Sequence, residues 1–235
     1  MKVPFYGIKF DNSHQIFLSE IESRHCIKVL RYKIGDEVEV LDGHGNLYSC
    51  IVFQDNFREC ILDVKKVDFK PPNNHSLHIA VAPPKNPDRI DWLVEKSVEM
   101  GASEISFIKS NRSIRTSIKI DRLDRISIAA MKQSYSRYKL KINKMTPLSD
   151  VLTKINARQR LIPHLEEGKR ILIQNELKSK MDTCILIGPE GDFTLDEINL
   201  AIENNFKPIS LGDQRLRTET AAIMVIGAFN YVNEY

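Results

Sequence analysis

A proline-containing break near residue 70 constrains the fold of this chain more than any other feature of its sequence. The segment Lys70–His75 contains two prolines, which cannot donate a backbone hydrogen bond within a sheet, and two asparagines, which favour turns. Before the break, polar and apolar residues alternate with a period of two. After it, short apolar runs alternate with segments of helical periodicity. The break therefore predicts two domains, residues 1–72 and residues 73–235.

The first part is expected to form a small β-barrel with one short helix. Residues 35–42 alternate polar and apolar side chains, residues 43–46 form a glycine-rich turn, and apolar residues return at 47–53. This order is typical of a β-hairpin. Residues 60–64 predict a further strand, and residues 19–31 have the apolar stripe of a short helix.

The second part is expected to be an α/β domain whose mainly parallel sheet is covered by helices. Its predicted strands are the apolar runs 77–82, 105–108, 184–187 and 209–211, with a weaker strand and helix between 142 and 155. Its predicted helices lie at residues 88–100, 123–133 and 219–231, and another begins at the capping-box pattern Thr194–Glu197. Alternation of strands and helices is typical of a parallel sheet.

The positive charge of the chain is concentrated in one segment. The whole chain has a net charge of +3, whereas residues 109–144 alone contain 11 basic and 2 acidic side chains. Such a stretch is expected on a surface that binds a phosphate backbone, and it is equally compatible with a solvated helix face. The charge pattern leaves both interpretations open.

The cysteines and histidines do not have the spacing of a metal site. The cysteines at positions 26, 50, 60 and 184 have apolar neighbours, and most of the six histidines are expected to be exposed or satisfied in turns. No apolar run approaches the roughly 20 residues of a membrane span, and residues 1–7 lack the apolar core of a secretory signal. We therefore expect free thiols, no metal and a cytoplasmic location.

Two polar loops that follow predicted strands are the strongest candidates for a binding site. Gly188–Asp192 follows the strand 184–187, Gly212–Thr218 follows the strand 209–211, and each loop leads into a predicted helix. Ligands bind at the carboxyl ends of strands in open α/β sheets, where glycines allow close backbone approach. The alternative is that these glycines serve turn geometry alone. P-loop, Rossmann and serine-hydrolase motifs are absent, which disfavours those classes.

The same loops resemble those of a known family. Gly188–Gly191, followed by Leu211-Gly212 and then by Leu216–Ala221, is similar to the paired motifs of the SPOUT methyltransferases. Within that superfamily, the chain resembles the enzymes that methylate N3 of a uridine in 16S ribosomal RNA (RsmE). Further similar stretches are Arg24–Arg31 with Gly35-Asp36, Glu95–Gly101 and Asn111–Ser113. The resemblance covers nearly the whole chain.

The sequence departs from this family pattern at four positions. Asp192 stands where a second glycine is usual, Lys132 and Asn111 stand where glutamate is common, and Arg89 stands where lysine is usual. Asp192 adds a charge beside the expected pocket. The other departures put any role for the missing carboxylates in doubt.

The resemblance implies a fold, a cofactor and a set of site residues. It implies a trefoil-knotted parallel sheet with helices on both faces, a PUA-like RNA-binding barrel at residues 1–72, a homodimer, and S-adenosyl-L-methionine as cofactor. The implied cofactor-binding residues are Ile187, Gly188, Pro189, Glu190, Gly191, Leu211, Gly212, Leu216, Arg217 and Thr218. Arg217 is expected to stabilise negative charge on a uracil oxygen. Glu219 or Glu190 is expected to accept the N3 proton, with solvent as the alternative acceptor. The alternative role for Glu190 is to shape its loop through hydrogen bonds.

The resemblance also gives the basic segment a partner, 16S ribosomal RNA or the small ribosomal subunit. The expected RNA-binding residues are Arg24, Lys28, Arg31, Arg112, Arg115 and Lys119. Tyr135 and Tyr138 either stack on bases or pack within the protein. Two alternatives stay open: another SPOUT activity, such as ribose 2′-O or guanosine-N1 methylation, and a non-catalytic RNA-binding protein. The PUA-like domain disfavours the first alternative, and Asp192 favours the second.

Overall fold

The computed structural model describes residues 3–9, 14–166, 168 and 170–233 of the 235-residue chain. The chain forms two compact units. The first comprises Met1–Pro72 together with Ile128–Lys139, and the second comprises Asn73–Ser127 together with Leu140–Tyr235. Within the described ranges, no helix has the length and apolar character needed to cross a membrane.

The first unit is built on a six-stranded sheet that curls on itself. Its strands are β1 (Phe5–Tyr6), β2 (Ile8–Lys9), β3 (Gln15–Phe17), β4 (Glu37–Leu41), β5 (Asn46–Gln54) and β6 (Ile61–Phe69), in the spatial order β1-β4-β5-β6-β3-β2. β1 pairs with β4, and β2 pairs with β3 at the other end of this order, yet only Gly7 separates β1 from β2. One segment thus bridges both ends of the sheet, which confirms the predicted barrel-like fold.

Gly7 is required at this bridge because the core of the first unit approaches its backbone closely. A Cβ atom at this position would lie 3.0 Å from Ile16 Cγ2 and 3.2 Å from Val40 Cγ1. Both of these side chains are completely buried. A larger residue would therefore push apart the two strand pairings that meet at Gly7.

The predicted hairpin of the first unit is confirmed. β4 and β5 pair antiparallel from Glu37 and Ile51 to Leu41 and Leu47. In the turn, the Asp42 carboxylate accepts hydrogen bonds from the backbone N–H groups of His44, at 2.7 Å, and Asn46, at 3.2 Å. This is the turn chemistry expected of aspartate.

The predicted helix at residues 19–31 is shorter and less regular than expected. Helix α1 (Glu20–Arg24) begins after Ser19, whose Oγ accepts a hydrogen bond from the Glu22 N–H group. A π-helical turn (His25–Val29) continues it. Arg31 has a φ of +61°, a left-handed conformation in which a helix cannot continue.

The second unit contains a seven-stranded sheet in which every described pairing is parallel. Its strands are β7 (Leu77–Val81), β8 (Glu104–Lys109), β9 (Lys141–Pro147), β10 (Gln159–Pro163), β11 (Ile171–Leu172), β12 (Thr183–Ile187) and β13 (Lys207–Ser210). Their spatial order is β11-β13-β10-β12-β7-β8-β9. The predicted parallel sheet is confirmed, and the predicted trefoil knot stays a prediction.

Helices cover both faces of this sheet, as the sequence predicted. The helices that follow β6 in the chain are α2 (Pro87–Glu99), α3 (Ile120–Ser134), α4 (Leu148–Lys154), α5 (Ile173–Glu176), α6 (Leu195–Glu203) and α7 (Thr218–Val232). On one face, Ala80 and Leu186 pack with Leu152 of α4 and Ile198 of α6. Alternate residues such as Ile79 point to the other face, where α7 contacts β7 and β12 and packs against α2.

β10 and β11 are not predicted from the sequence, although β10 lies between β12 and β13 in the sheet. β10 is only five residues long, contains Arg160 and ends at Pro163. The Arg160 guanidinium donates to the carbonyl groups of Ile155, Ala157 and Asn204. These carbonyl groups allow a basic residue in a central strand, and the one at Asn204 lies 44 positions away in the sequence, where local patterns do not reveal it.

Residues 128–139, the C-terminal part of α3 and the segment after it, pack with the first unit. Lys132 Nζ lies 2.7 Å and 3.0 Å from the two carboxylate oxygens of Glu22, and both side chains are about nine-tenths buried. The Tyr135 hydroxyl donates to the Glu39 carboxylate. Lys132, one of the departures from the family pattern, thus has its own carboxylate partner in this chain.

The four cysteines are free and buried, as expected from their apolar neighbours. Cys184 lies in the core of the second unit, and its complete burial raises the pKa of its thiol. In the described part of the chain, no group of three or more His, Cys, Asp or Glu side chains could hold a metal ion.

Candidate functional site

A cavity lies at the carboxyl ends of β10, β12 and β13, where the loops that follow these strands meet. This edge of a parallel sheet is where ligands bind in open α/β folds. Eight of the ten residues predicted to bind a cofactor line the cavity: Ile187, Gly188, Pro189, Glu190, Leu211, Gly212, Leu216 and Thr218. The other two, Gly191 and Arg217, are outside its lining. The two loops singled out in the sequence therefore converge on one cavity.

Asp192 connects the loop after β12 to the loop after β10. Its φ is +61°, and its N–H group donates to the Pro189 carbonyl at 2.9 Å, which closes a tight turn. Its carboxylate accepts hydrogen bonds from the N–H groups of Phe193, at 2.8 Å, and Leu165, at 2.6 Å. Aspartate tolerates a left-handed backbone when its side chain bonds locally. Asp192 thus replaces the usual glycine without opening the turn.

Thr218 joins the first turn of α7 to the end of β12. It is buried, and its Oγ1 donates to the Gly188 carbonyl at 3.0 Å. A Cβ atom on Gly188 would lie 3.1 Å from Asp192 Oδ1 and 3.2 Å from the Phe193 ring. Glycine at position 188 is therefore required by close packing inside the loop.

Glu190 binds backbone rather than facing the cavity as a free carboxylate. Its Oε1 accepts a hydrogen bond from the Lys85 N–H group at 2.9 Å, and its own carbonyl accepts one from Arg215 at 3.2 Å. Since the carboxylate already has a backbone donor, Glu190 shapes the loop. This is one of the two roles that the sequence left open for it.

Arg112 and Arg115 hold the loops of the site. Arg112 Nη1 donates to the carbonyl groups of Gly191, at 2.8 Å, and Phe193, at 3.3 Å. Arg115 Nη2 donates to the Lys85 carbonyl at 2.7 Å. Arginines in this segment were predicted to contact RNA, and the structure gives these two a partner within the second unit. The basic segment is therefore partly a structural feature of the site.

The remaining residues predicted to bind RNA are exposed. Lys119 in the second unit and Arg24, Lys28 and Arg31 in the first unit lie on the surface of their units. Arg24 pairs with Glu20 at 2.8 Å, and Lys28 Nζ lies 4.8 Å from the centre of the Phe57 ring. Tyr138 packs within the first unit, where its hydroxyl donates to the Lys70 carbonyl.

The two predicted catalytic residues differ in their surroundings. Arg217 is exposed, immediately precedes α7, and its side chain has no hydrogen-bond or ion-pair partner among the described residues. Glu219 is buried; its Oε1 lies 3.4 Å from Arg89 Nε, and its Oε2 has no partner in the described structure. Neither side chain lines the cavity. Their catalytic roles stay predictions.

His164 lines the cavity and is not among the predicted site residues, because the sequence predicts only that most of the histidines are exposed or satisfied in turns. Its side chain belongs to a residue only 9% exposed, and neither ring nitrogen has a hydrogen-bond partner in the described part of the chain. Burial lowers the pKa of His164, against the opposing effect of Asp192. The ring is therefore neutral near pH 7. Its position directly after β10, a strand that was not predicted, concealed it.

Comparison with known proteins places this geometry in a family. Residues 71–230 match the model of the RNA methyltransferase domain, and residues 18–65 match that of the RNA methyltransferase PUA domain. The chain is 31% identical to ribosomal RNA small subunit methyltransferase E of Rickettsia conorii, over 94% of this chain and 92% of that protein. It is 29% identical to the protein of the same name from Aquifex aeolicus, over 90% and 92%.

Solved structures agree with this placement. The crystal structure of a probable rRNA-methyltransferase from Porphyromonas gingivalis is 34% identical, with a TM-score of 0.89 and 98% coverage of both chains. Ribosomal RNA small subunit methyltransferase E from Neisseria gonorrhoeae, solved bound to S-adenosyl methionine, shares the fold with a TM-score of 0.87 at 23% identity, over 99% of this chain and 98% of that one. The resemblance in the sequence is confirmed: the chain belongs to the ribosomal RNA small subunit methyltransferase E family of RNA methyltransferases.

Proposed function

We infer that this chain uses S-adenosyl-L-methionine to methylate N3 of one uridine in the 16S ribosomal RNA of the small subunit. The observation that supports this most strongly is the convergence of the two family motifs on one cavity at the carboxyl ends of β10, β12 and β13. The relatives named above are small-subunit ribosomal RNA methyltransferases, and one neighbour in fold was solved with this cofactor. The choice of base and atom rests on the resemblance of the motifs.

The residues of the cavity fit a nucleoside-containing cofactor. Leu165, Leu211 and Leu216 supply apolar walls for a purine ring. Gly212 has a φ of +108° and no atom within 4 Å of where its Cβ would be, so backbone can approach a ligand there. His164 adds a buried donor and acceptor that have no hydrogen-bond partner among the described residues. The cavity thus combines apolar contact with a few polar groups.

The side chains near this cavity have separate tasks in the proposed reaction. S-adenosylmethionine, when bound, supplies an electrophilic methyl group. The protein aligns the uridine with it and excludes water. As the N3 proton leaves, negative charge develops on the uracil, and the exposed guanidinium of Arg217 stabilises that charge on a uracil oxygen.

Glu219 is a better proton acceptor than Glu190 in this chain. Glu190 Oε1 already accepts the Lys85 N–H group, whereas Glu219 Oε2 has no partner in the described structure. Arg89 Nε, at 3.4 Å from Oε1, keeps the Glu219 carboxylate oriented. The N3 proton is therefore assigned to Glu219, with solvent as the alternative.

Residues 1–72 are proposed to bind RNA as a PUA-like domain, and residues 73–235 to form the knotted methyltransferase domain. Support for RNA contact comes from the exposed Arg24, Lys28, Arg31 and Lys119. Arg112 and Arg115 already donate hydrogen bonds to loop carbonyl groups. If they also contact RNA, the same guanidinium groups must bind both the RNA and the loops.

A homodimer is proposed because the second unit exposes large apolar side chains on two helices that pack together. Met224 of α7 is 41% exposed, Tyr231 of the same helix is 88% exposed, and Trp92 of α2 is 42% exposed. Exposed apolar side chains at neighbouring positions favour a protein interface. Light scattering after size-exclusion chromatography tests this; a mass of 27 kDa would refute it.

The reaction is tested by mass spectrometry of 16S RNA. RNA from a strain lacking this protein should lack one N3-methyluridine, and incubating its small subunits with the protein and S-adenosylmethionine should restore it. A methyl group on a ribose 2′ oxygen or on guanosine would refute the assigned chemistry. Absence of any modification, together with absence of cofactor binding by calorimetry, would identify a non-catalytic RNA-binding protein.

A further inference from the structure

His164 is the polar group in the cavity whose partners are missing. The residue is 9% exposed and lines the cavity, and neither Nδ1 nor Nε2 is hydrogen-bonded in the described part of the chain. The backbone of Glu166 lies near the ring without meeting hydrogen-bond geometry. A buried polar group that lacks a partner destabilises a protein, so native structures rarely keep one without a function.

The surrounding structure holds His164 rigidly at the cavity wall. Arg170 Nη1 donates to the His164 carbonyl, and the Asp192 carboxylate accepts the N–H group of the next residue, Leu165, at 2.6 Å. These bonds use backbone groups on both sides of the ring and leave the ring nitrogens free. The backbone around His164 is therefore fixed by hydrogen bonds, while the hydrogen-bonding capacity of its ring is unused among the described residues.

We propose that His164 is a positioning residue that hydrogen-bonds the adenosine part of S-adenosylmethionine. The inference rests on the proposed function and adds a residue to its site. A neutral imidazole offers one donor and one acceptor. This pair matches the uncharged adenine edge or a ribose hydroxyl.

The amino-acid part of the cofactor fits this ring less well. That part has an ammonium and a carboxylate, which charged side chains bind more strongly. The cavity lining also contains Arg170 and Arg215, whose positive charges suit the carboxylate. The apolar Leu165 beside His164 is instead suited to a purine ring.

The test compares three ligands by isothermal titration calorimetry: S-adenosylmethionine, S-adenosylhomocysteine and 5′-methylthioadenosine, which lacks the amino acid. His164→Phe keeps a planar ring and removes both nitrogens, and it should weaken all three ligands by a similar factor, about 3- to 10-fold. His164→Gln restores one polar group and should recover part of the affinity. His75→Phe is the matched control, because His75 also has an unpartnered Nδ1 but contacts Phe229 outside the cavity.

Stability and pH dependence separate ligand positioning from a structural role. Without ligand, His164→Phe should unfold at no lower temperature than the native protein, since it removes unpartnered nitrogens. Protonation of His164 would replace its acceptor with a second donor, so native affinity for 5′-methylthioadenosine should fall as the pH drops below the ordinary histidine range. His164→Phe should remove this dependence. Asp192 and Glu166 favour protonation, and Arg170 opposes it.

Each contrary result has a distinct meaning. Unchanged affinities in both His164 variants would overturn the inference and leave the proposed function intact. Weaker binding of S-adenosylmethionine and S-adenosylhomocysteine with unchanged 5′-methylthioadenosine would place His164 at the amino-acid part and overturn the adenosine assignment. Failure of the native protein to bind any of the three would overturn the proposed function together with the inference.

Discussion

Substitutions at Asp192 separate backbone strain from side-chain hydrogen bonding at the wall of the cavity. The residue has a φ of +61°, and its carboxylate accepts the N–H groups of Leu165 and Phe193 at 2.6 Å and 2.8 Å. A left-handed backbone is unfavourable by about 1–2 kcal/mol for a residue with a Cβ atom. Each hydrogen bond contributes about 1 kcal/mol to the free energy of unfolding.

These magnitudes predict an order of stability. Asp192→Ala loses both hydrogen bonds and keeps the strain, so it should destabilise the second unit by about 2 kcal/mol. Asp192→Gly loses the same bonds but relieves the backbone strain. The greater conformational entropy of glycine in the unfolded chain offsets about 0.4–1 kcal/mol of that gain. The glycine variant should therefore be about 1 kcal/mol more stable than the alanine variant. Asp192→Asn keeps one acceptor and should lie nearest the native protein.

Urea unfolding followed by tryptophan fluorescence measures this order, because the one tryptophan of the chain, Trp92, lies in the second unit. Cofactor affinity should follow the same order, since Leu165 adjoins His164 in the cavity wall. An alanine variant as stable as the glycine variant would refute the strain argument. A glycine variant as stable as the native protein would refute the contribution of the two hydrogen bonds.

Three further predictions test other parts of the chain. Lys132→Met should destabilise the first unit by about 3 kcal/mol in urea unfolding, because it leaves the Glu22 carboxylate buried and unpaired. Adding Glu22→Leu should recover most of this loss, and a double variant no more stable than Lys132→Met would refute the pairing. Burial raises the pKa of Tyr48 from 10 to about 12, so the free energy of unfolding should fall between those pH values, and Tyr48→Phe should flatten the profile. Arg217→Ala should slow methyl transfer by about 100-fold with an unchanged unfolding midpoint; near-native turnover would remove Arg217 from the mechanism.

The parts of the fold that the sequence predicts are those determined by residues close together in the chain. The hairpin of β4 and β5, the buried strand β12 and the capping box of α6 each follow from residues within a few positions of one another. β10 was missed because its place in the sheet depends on β12 and β13 and on carbonyl groups elsewhere in the second unit.

The sequence predicts the positions of the glycine-containing loops of the site, but it does not predict the hydrogen bonds between its polar groups. The motifs at Gly188 and Gly212 mark where backbone turns at strand ends, which sequence spacing reveals. The bond from Arg112 to the Gly191 carbonyl joins residues 79 positions apart, and that from the Leu165 N–H group to the Asp192 carboxylate joins residues 27 positions apart. Basic residues whose sequence pattern predicts a nucleic-acid surface can therefore hydrogen-bond backbone carbonyl groups of the protein instead. Only the folded structure shows these bonds.

The assignment of residues 128–139 to the first unit has a consequence for biosynthesis. The ribosome releases the strands of that unit first, but Lys132 and Tyr135, the partners of Glu22 and Glu39, emerge about sixty residues after the last of them. Until then, the nascent chain has a carboxylate at Glu22 that folding would bury without its counter-ion. The first unit should therefore complete its folding only after β7, β8 and most of α3 have been synthesised, and a fragment ending at Pro72 should be less stable than the same residues in the full chain.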